Sequence, residues 1–460
     1  MTTLRRLYRL TDGVRCLTSG SGATALLRWP HAEKFGRLTP REHTVLRELV
    51  DDRSITELTA LCPAGSTTAL VAALARGGWT ETTVVCGERR LYSTRTRWPP
   101  RRPPVPARPG RLSRFASVGR DGDGMLVASP TAARSLRIAD TRLLETVMTA
   151  GASHPPSGLP AEAAQWLLTD LEDAGLLAGA EETDELRGAQ WSPHELAFHH
   201  DSRLRRDHLM GEDFGGTYWA KGRFDPPPAR HPAWATADIT LHRPDPERLH
   251  AQDPPLSAVM ERRRSIRSYA DDDPLTVEEL GEFLFRTARV RTTGQDTGLE
   301  VSDRPWPAGG AAHELEVYPL VHNVQGLPPG LYHYDPHGHG LSRVPATATH
   351  LRWLMTSAAA GMNGGATPQV LFVIATRYGR LSWKYRAMAY ALTLKHVGVL
   401  QQTMYLAATA MGLAPCALGV GDADAFAAAT GLDVLEETSV GEFALGRPPS
   451  PEHGEDGGAA

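Results

Sequence analysis

Two proline-rich stretches divide this 460-residue chain and limit what any part of it can fold into. Residues 98–110, WPPRRPPVPARPG, cannot form a helix or a central strand, because proline lacks the backbone N–H and fixes φ. Residues 223–255, from RFDPPPARHP to HRPDPERLHAQDPP, read as an extended connection. From Arg447 onward, RPPSPEHGEDGGAA carries no core-forming pattern and is expected to be disordered. The breaks predict one unit at 1–97, a second at 111–222, a third at 256–447 and a tail at 448–460. The length agrees with about three domains.

Composition excludes several classes. Apolar residues make up 41% and charged residues 22%, as in ordinary globular proteins rather than coiled coils or disordered chains. Lys+Arg number 49 against 53 Asp+Glu, so no basic excess exists to drive nucleic-acid binding. Cys16, Cys62, Cys86 and Cys416 are too scattered for a disulfide framework and form no CxxC pair for zinc. MTTLRRLYRLTDGVR has no apolar run after its arginines, and no stretch of about 20 apolar residues appears. The expectation is a reduced, cytoplasmic protein with no nucleic-acid or membrane partner.

The first two regions read as a repeat. LYRL and TALLRW precede helical spacing at Val45, Leu46, Leu49, then Leu70, Leu74 and Gly77-Gly78. SRFASVG and MLVAS precede the same spacing at Leu143, Leu144, Val147, then Leu167, Leu171 and Gly175. An offset of 97 aligns Leu46 with Leu143, Val50 with Val147, Leu70 with Leu167, Leu74 with Leu171 and Gly78 with Gly175. The predicted module is a strand–helix–helix unit closed by a helix-ending glycine. Two such units resemble winged helix-turn-helix modules. Their helices, such as ITELTALC, offer little arginine for phosphates, and some winged helices instead bind peptides by strand addition. A purely structural role is the competing reading.

The third region is predicted to be an α+β domain with a mixed sheet. Thr276-x-x-Glu279 is a capping box that opens an amphipathic helix at Val277. HELEVYPLVHNV alternates as a strand does, GLYHYDP reads as a short strand, and 369–376, QVLFVIAT, suits a buried strand. Residues 384–411 are predicted to form one long helix with few charges, mostly buried, with a subunit interface as one way to bury it. SVGEFALG closes the domain as a last strand.

Three segments have the chemistry of a site. Arg262-Arg263-Arg264-Ser265-Ile266-Arg267-Ser268 offers forked cations and hydroxyls, the donors a phosphate needs, with a solvated basic run as the alternative. Pro307-Ala308-Gly309-Gly310-Ala311 lets a flat ligand approach the backbone, unless it is an ordinary turn. Ala417-Leu418-Gly419-Val420-Gly421 is a second such stretch.

In order, RRSIRSY, PAGGAAHELEVYPLVHNVQGLPPGLYHYDP, WKYRAMAYALTLKHVGVLQQTMYLAATAMGLAPCALG and GEFALGRP resemble the SagB-type azoline dehydrogenases, a branch of the FMN-dependent nitroreductase superfamily. The resemblance spans 262–448 and implies a nitroreductase-like fold with FMN as cofactor. It also implies extra N-terminal winged-helix-like units and a homodimer with FMN at the subunit interface. The implied reaction oxidises thiazoline or oxazoline rings to thiazole or oxazole in a ribosomally made peptide, with a cyclodehydratase as a further partner. By position, Arg263, Arg264, Ser265 and Arg267 are implied to bind the FMN phosphate and ring edge. Ala308, Gly309 and Gly310 are implied to lie beside the isoalloxazine. Leu418 and Gly419 are implied to turn backbone N–H groups to it, and Arg447 to reach the phosphate. Lys384-Tyr385 matches the family's catalytic pair. Azoline oxidation requires a base at the carbon next to the carbonyl; a nearby ammonium favours phenolate, and burial favours neutral lysine. Tyr385 as base with Lys384 as its electrostatic partner is the preferred assignment.

Other signals are discounted. His194-Glu195-Leu196-Ala197-Phe198-His199 has one residue too many between its histidines for one zinc ion. His333, His337 and His339 are expected in a solvated loop rather than at a metal. Gly20-Ser21-Gly22 lacks the lysine of a P-loop, and nothing points to NAD or ATP. Two alternatives remain: a nitroreductase-like enzyme using NAD(P)H on a small acceptor, and a non-catalytic peptide-binding subunit of a biosynthetic complex.

Overall fold

The computed structural model describes residues 3–20, 22–28, 31–96, 107–150, 158–179, 182, 184–203, 218–234, 237–364, 366–386 and 388–450. Most of the first proline-rich break and residues 451–460 of the expected tail lie outside the described residues. The chain forms two compact units, Met1–Gly215 and Gly216–Ala460.

In the N-terminal unit the two repeats share one sheet. Its strands run in the order Arg53–Ser54, Leu4–Leu10, Thr80–Cys86, Arg89–Thr96, Arg134–Ile138, Gly124–Ala128, Ser117–Asp121, every neighbour antiparallel. Helices Pro40–Glu48, Ile55–Thr59 and Ala64–Arg76 belong to the first half, and Leu144–Thr149 and Ala161–Ala174 to the second. One apolar cluster, around Leu46, Leu70 and Leu74, lies within the first half; the other, around Leu143, Leu167 and Leu171, also takes in Val84, Leu91 and Tyr92 of the first half. The closing glycines are equivalent: Gly78 and Gly175 have φ of 75° and 77°, and the next N–H returns to the leucine carbonyl (Trp79 to Leu74 at 2.9 Å, Leu176 to Leu171 at 3.0 Å). The alignment of Val50 with Val147 fails. Val147 is buried, but the helix before Val50 is capped at Leu49, which leaves Val50 in a turn and 67% exposed. Arg89–Thr96 and Arg134–Ile138 pair with each other, so strand addition at those two edges is closed to a peptide.

The C-terminal unit is built on a seven-stranded sheet, ordered Ile239–Thr240, Gly340–Val344, Gly330–Asp335, Leu315–Val321, Val370–Thr376, Thr438–Gly446, Ala414–Leu418. The mixed sheet expected from alternating helices and strands is not found: all its ladders are antiparallel. The helical crossover after Val370–Thr376 skips one position. Thr438–Gly446 inserts there, so the parallel strands are not neighbours. Strand Leu315–Val321 is buried on both faces rather than alternating. Its Glu316 is accommodated by His333 (3.0 Å) and Arg377 (3.3 Å). His333 and His339 are therefore core residues, not a solvated loop; His339 contacts Tyr334 Oη and the His242 carbonyl, each at 2.8 Å.

The capping box forms as read: Thr276 caps Val277–Thr287 and Glu279 returns to the Thr276 N–H at 2.9 Å. The connection at 223–255 is more ordered than expected, because Asp245 caps a short helix, Pro246–Gln252, with proline at its first position. Pro227, Pro228 and Ala229 are tied to the body through their carbonyls by Arg380 and Arg377.

Glu442, on strand Thr438–Gly446, is a buried carboxyl, and burial together with Asp422 pushes it up to about 7. Its folded state binds the proton more tightly than the unfolded chain does. Stability should therefore fall as pH rises from about 4.5 to 7. Glu442→Gln is expected to flatten that decline and to melt above the wild type at pH 8, as thermal denaturation across pH would record.

Candidate functional site

The predicted site residues fall into two groups in the C-terminal unit. The first surrounds Lys384. The helix expected to start there instead breaks in two: Tyr378–Lys384 ends at Lys384, Tyr385 is extended (φ −116°, ψ 126°), and Ala389–Ala410 follows. No glycine or proline marks the break in the sequence. Tertiary contacts supply it: the Lys384 carbonyl accepts from Tyr218 N–H at 2.7 Å, and the Ser382 carbonyl accepts from the Trp219 indole. The break lets Tyr385 leave the helix and turn its ring toward Gly309 and Gly310.

Lys384 is 7% exposed and donates to Asp296 Oδ2 at 2.5 Å, and Tyr218 Oη donates to the same oxygen at 3.0 Å. Burial presses the Lys384 ammonium down, but the hydrogen bonds to Asp296 and Tyr218 outweigh it and hold it above its ordinary value. The Lys384 hydrogen bond, with those from Thr297 and Tyr218, pulls Asp296 down to about 2. The pair thus stays ionised through the neutral range. What it adds to stability should be complete above about pH 4 and lost as pH falls through 2. The melting difference between wild type and Asp296→Asn is expected to close over that window.

The glycine strip forms a tight turn, Gly309–Ala311, with Gly310 at φ 57°. A Cβ on Gly310 would overlap Lys384 Nζ and lie 2.9 Å from Tyr385 Oη. Gly310→Ala is expected to cost about 1–2 kcal/mol for the left-handed backbone and to displace Lys384. A lower melting temperature together with loss of turnover would record both. The strip is also held from beneath. Gly309 N–H donates to His396 Nε2 at 2.8 Å, and His396 Nδ1 donates to buried Glu314 at 2.7 Å, which fixes the imidazole tautomer.

The second group gathers around Tyr405, nine residues beyond His396 on the same helix, about 13–14 Å along its axis. Tyr405 Oη meets Ser265 Oγ at 2.7 Å and accepts from Ala417 N–H at 2.8 Å, and Arg263 lies over its ring. Ile266 N–H reaches the Pro415 carbonyl and Ala270 N–H the Arg447 carbonyl, which brings the arginine segment, the Leu418-Gly419 stretch and Arg447 together. Arg264, Arg267 and Gly419 are exposed, and Leu418 is buried. Arg263, Arg264 and Arg267 have no carboxylate partner among the described residues, whereas Arg447 is already paired bidentately with Glu279 at 2.9 and 2.7 Å. A phosphate at Arg447 would have to compete with Glu279.

These residues fit an FMN group in two respects: three arginines without a carboxylate partner among the described residues, beside a serine, suit a phosphate, and the side-chain-free strip leaves backbone open to a flat ring. Sequence reasoning missed Tyr218, Asp296, His396 and Glu314. Glu314 and His396 lie inside segments already singled out, HELEVYPLVHNV and the 384–411 run, but none of the four has a local signature that marks its role. Among the described residues no group of histidines, cysteines and carboxylates could hold a metal, and no helix is long and apolar enough to cross a membrane.

Residues 260–447 match the nitroreductase family, and residues 110–208 match the cyanobactin oxidase ThcOx family. A Methanocaldococcus jannaschii protein named as a nitroreductase is 30% identical over 184 residues, 40% of this chain and 84% of that protein. A Ralstonia eutropha structure named as a nitroreductase aligns with TM-score 0.38 and 22% identity over 49% of this chain and 96% of its own. A chain of the E. coli microcin synthetase McbBCD complex with truncated pro-MccB17 bound aligns with TM-score 0.36 and 20% identity over 48% and 77%.

Proposed function

Because the chain belongs to the nitroreductase family and is an oxidoreductase, we propose that it is an FMN-dependent azoline dehydrogenase acting on a heterocyclised, ribosomally made peptide. The observation that carries this reading is the convergence of Lys384, Tyr385 and the Gly309–Gly310 strip. Hydride transfer from a reduced nicotinamide to a small acceptor needs no protein base beside the acceptor. Aromatising an azoline does, because one ring carbon must give up a proton as its neighbour gives up a hydride. The match of the second N-terminal repeat to cyanobactin oxidases favours a peptide substrate.

FMN, when bound, supplies the two-electron acceptor for that hydride. Arg263, Arg264, Ser265 and Arg267 are the residues that would hold its phosphate, with Arg447 adding to them if Glu279 yields. Ala308, Gly309, Gly310, Leu418 and Gly419 would face its ring. Lys384, kept charged by Asp296, cannot serve as a neutral base; its ammonium lies 5.7 Å from the centre of the Tyr385 ring. Tyr385 Oη then takes the proton from the ring carbon next to the carbonyl.

The large apolar residues of the long helix that stay exposed, Tyr390, Leu394 and Val399, are expected to be covered by a second copy, giving a homodimer. Sedimentation should find the dimer; a monomer that keeps FMN and turns over would overturn it. Purified protein should release FMN on denaturation, and Arg263→Ala should weaken FMN binding by about 1.5–3 kcal/mol, the scale of a charge-assisted hydrogen bond. The deciding assay is mass spectrometry of an azoline peptide incubated with the protein and oxygen. Loss of two hydrogens per ring supports the reading, whereas untouched azolines with nicotinamide-driven reduction of nitroaromatics favour a reductase.

A further inference from the structure

Lys384 and Tyr385 are neighbours in sequence, yet both side chains converge on Gly310. A helix does not allow this, because residues i and i+1 project about 100° apart. The convergence therefore depends on the break at Tyr385, and the break on where two carbonyls find their donors. In a helix running on through this point, the Ser382 carbonyl would accept from Arg386 N–H and the Lys384 carbonyl from Met388 N–H. Both are taken by donors from outside the helix: Ser382 by the Trp219 indole, Lys384 by Tyr218 N–H at 2.7 Å. Met388 N–H bonds the Arg386 carbonyl instead, at 2.7 Å, and the last helical bond runs from Tyr385 N–H to the Leu381 carbonyl at 2.9 Å.

The two donors belong to a short strap, Tyr218–Phe224, that follows closely on the end of the N-terminal unit at Gly215. The strap is fastened at both ends. Tyr218 meets Trp383 edge-on, with ring centres 5.9 Å apart, and its hydroxyl donates to Asp296 at 3.0 Å. At the other end the Phe224 carbonyl accepts from the Trp383 indole at 3.1 Å. Between them Ala220 is buried in one apolar cluster with Leu381 and Trp383. Tyr218 also holds φ at 59°, a left-handed backbone that a residue with a side chain keeps only where its surroundings impose it.

We infer that Tyr218 and Trp219 are positioning residues for the reaction: by occupying the Ser382 and Lys384 carbonyls they stop the helix from closing through Tyr385, and so aim its hydroxyl and the Lys384 ammonium at one point. With the strap undocked, Tyr378–Lys384 and Ala389–Ala410 merge into one helix that carries Tyr385 away from Gly310. The inference rests on the azoline reading for what Tyr385 does, and adds which residues put it in place.

The test uses the full, flavin-loaded chain and two variants. Tyr218→Pro has no N–H to give and cannot hold a positive φ. Trp219→Phe keeps a ring and removes only the donor. Hydrogen exchange reads the backbone directly. The N–H groups that open Ala389–Ala410 lack helical acceptors and gain them if the helices merge, so exchange across 386–391 is expected to slow in both variants. A merely loosened structure would exchange faster. On a pre-cyclised peptide, kcat should fall about tenfold or more in Tyr218→Pro and several-fold in Trp219→Phe, with KM nearly unchanged, because a displacement of about 1 Å is enough for such losses. Deuterium on the ring carbon next to the carbonyl should slow the variants more than the wild type, as proton transfer becomes limiting. If Tyr218→Pro loses its flavin, Trp219→Phe decides alone. Exchange that is unchanged or faster overturns the strap, and so do native rates with a native isotope effect. A wild type that leaves azolines untouched defeats the azoline reading, and the exchange measurement still decides the strap.

Discussion

Tyr385→Phe is expected to keep its flavin and oxidise azolines about 10²-fold more slowly, the scale of a lost general base. Lys384→Ala should fall by a similar factor, and the double variant by little more than either, because the two groups act as one unit. The structure adds a third member. Asp296→Asn leaves Lys384 without its carboxylate, while Tyr218 keeps its hydroxyl beside the amide. Its loss should be smaller, about tenfold, and should grow as pH rises, because an unpaired buried ammonium deprotonates more readily. Steady-state rates on a pre-cyclised peptide, with flavin absorbance to count active protein, would separate these cases. Near-native rates in both single variants would falsify the pair as catalytic and leave it a packing feature.

The largest stability effect is expected at Arg380. Its guanidinium is fully buried and donates to three carbonyls: Ala312 at 2.9 and 2.6 Å, Pro227 at 2.7 Å and Glu300 at 2.7 Å. Burial lowers it to about 10, so it remains charged near neutrality. Arg380→Met leaves those carbonyls unsatisfied and should cost about 3–5 kcal/mol, the range for breaking a buried charged network. Arg380→Lys keeps the charge but not the fork and should recover only part of this. Ala312 follows the glycine strip and Glu300 belongs to the hairpin that carries Asp296, so flavin retention should fall with melting temperature. Denaturant titration of the flavin-loaded protein reads both.

Sequence patterns revealed what local chemistry determines. The capping box at Thr276 and Glu279, the buried strand at Val370–Thr376 and the matched glycines at 78 and 175 depend on neighbours a few residues away, and all three are present. The break at Tyr385 was not legible. Residues 384–411 satisfy every rule for one continuous helix, and the deciding contacts come from Tyr218 and Trp219, more than 160 residues earlier. Asp296 and Glu314 were missed for the same reason: a carboxylate that serves a lysine 88 residues away, or a histidine 82 away, has no local spacing to betray it. The antiparallel sheet was misjudged because helix–strand alternation does not record which strand returns to fill a gap.

The junction of Arg89–Thr96 with Arg134–Ile138 has a consequence for how this chain can be dissected. A fragment ending near residue 97 would present Arg89–Thr96 as a raw, eight-residue border, and one beginning near 111 would do the same with Arg134–Ile138. Such borders recruit strands from other molecules. Either half expressed alone is thus set to self-associate through the surface it normally offers its sibling. The cassette that can be moved between proteins is the pair, and exchanging one repeat for a homologous one demands a matching hydrogen-bond register across that seam.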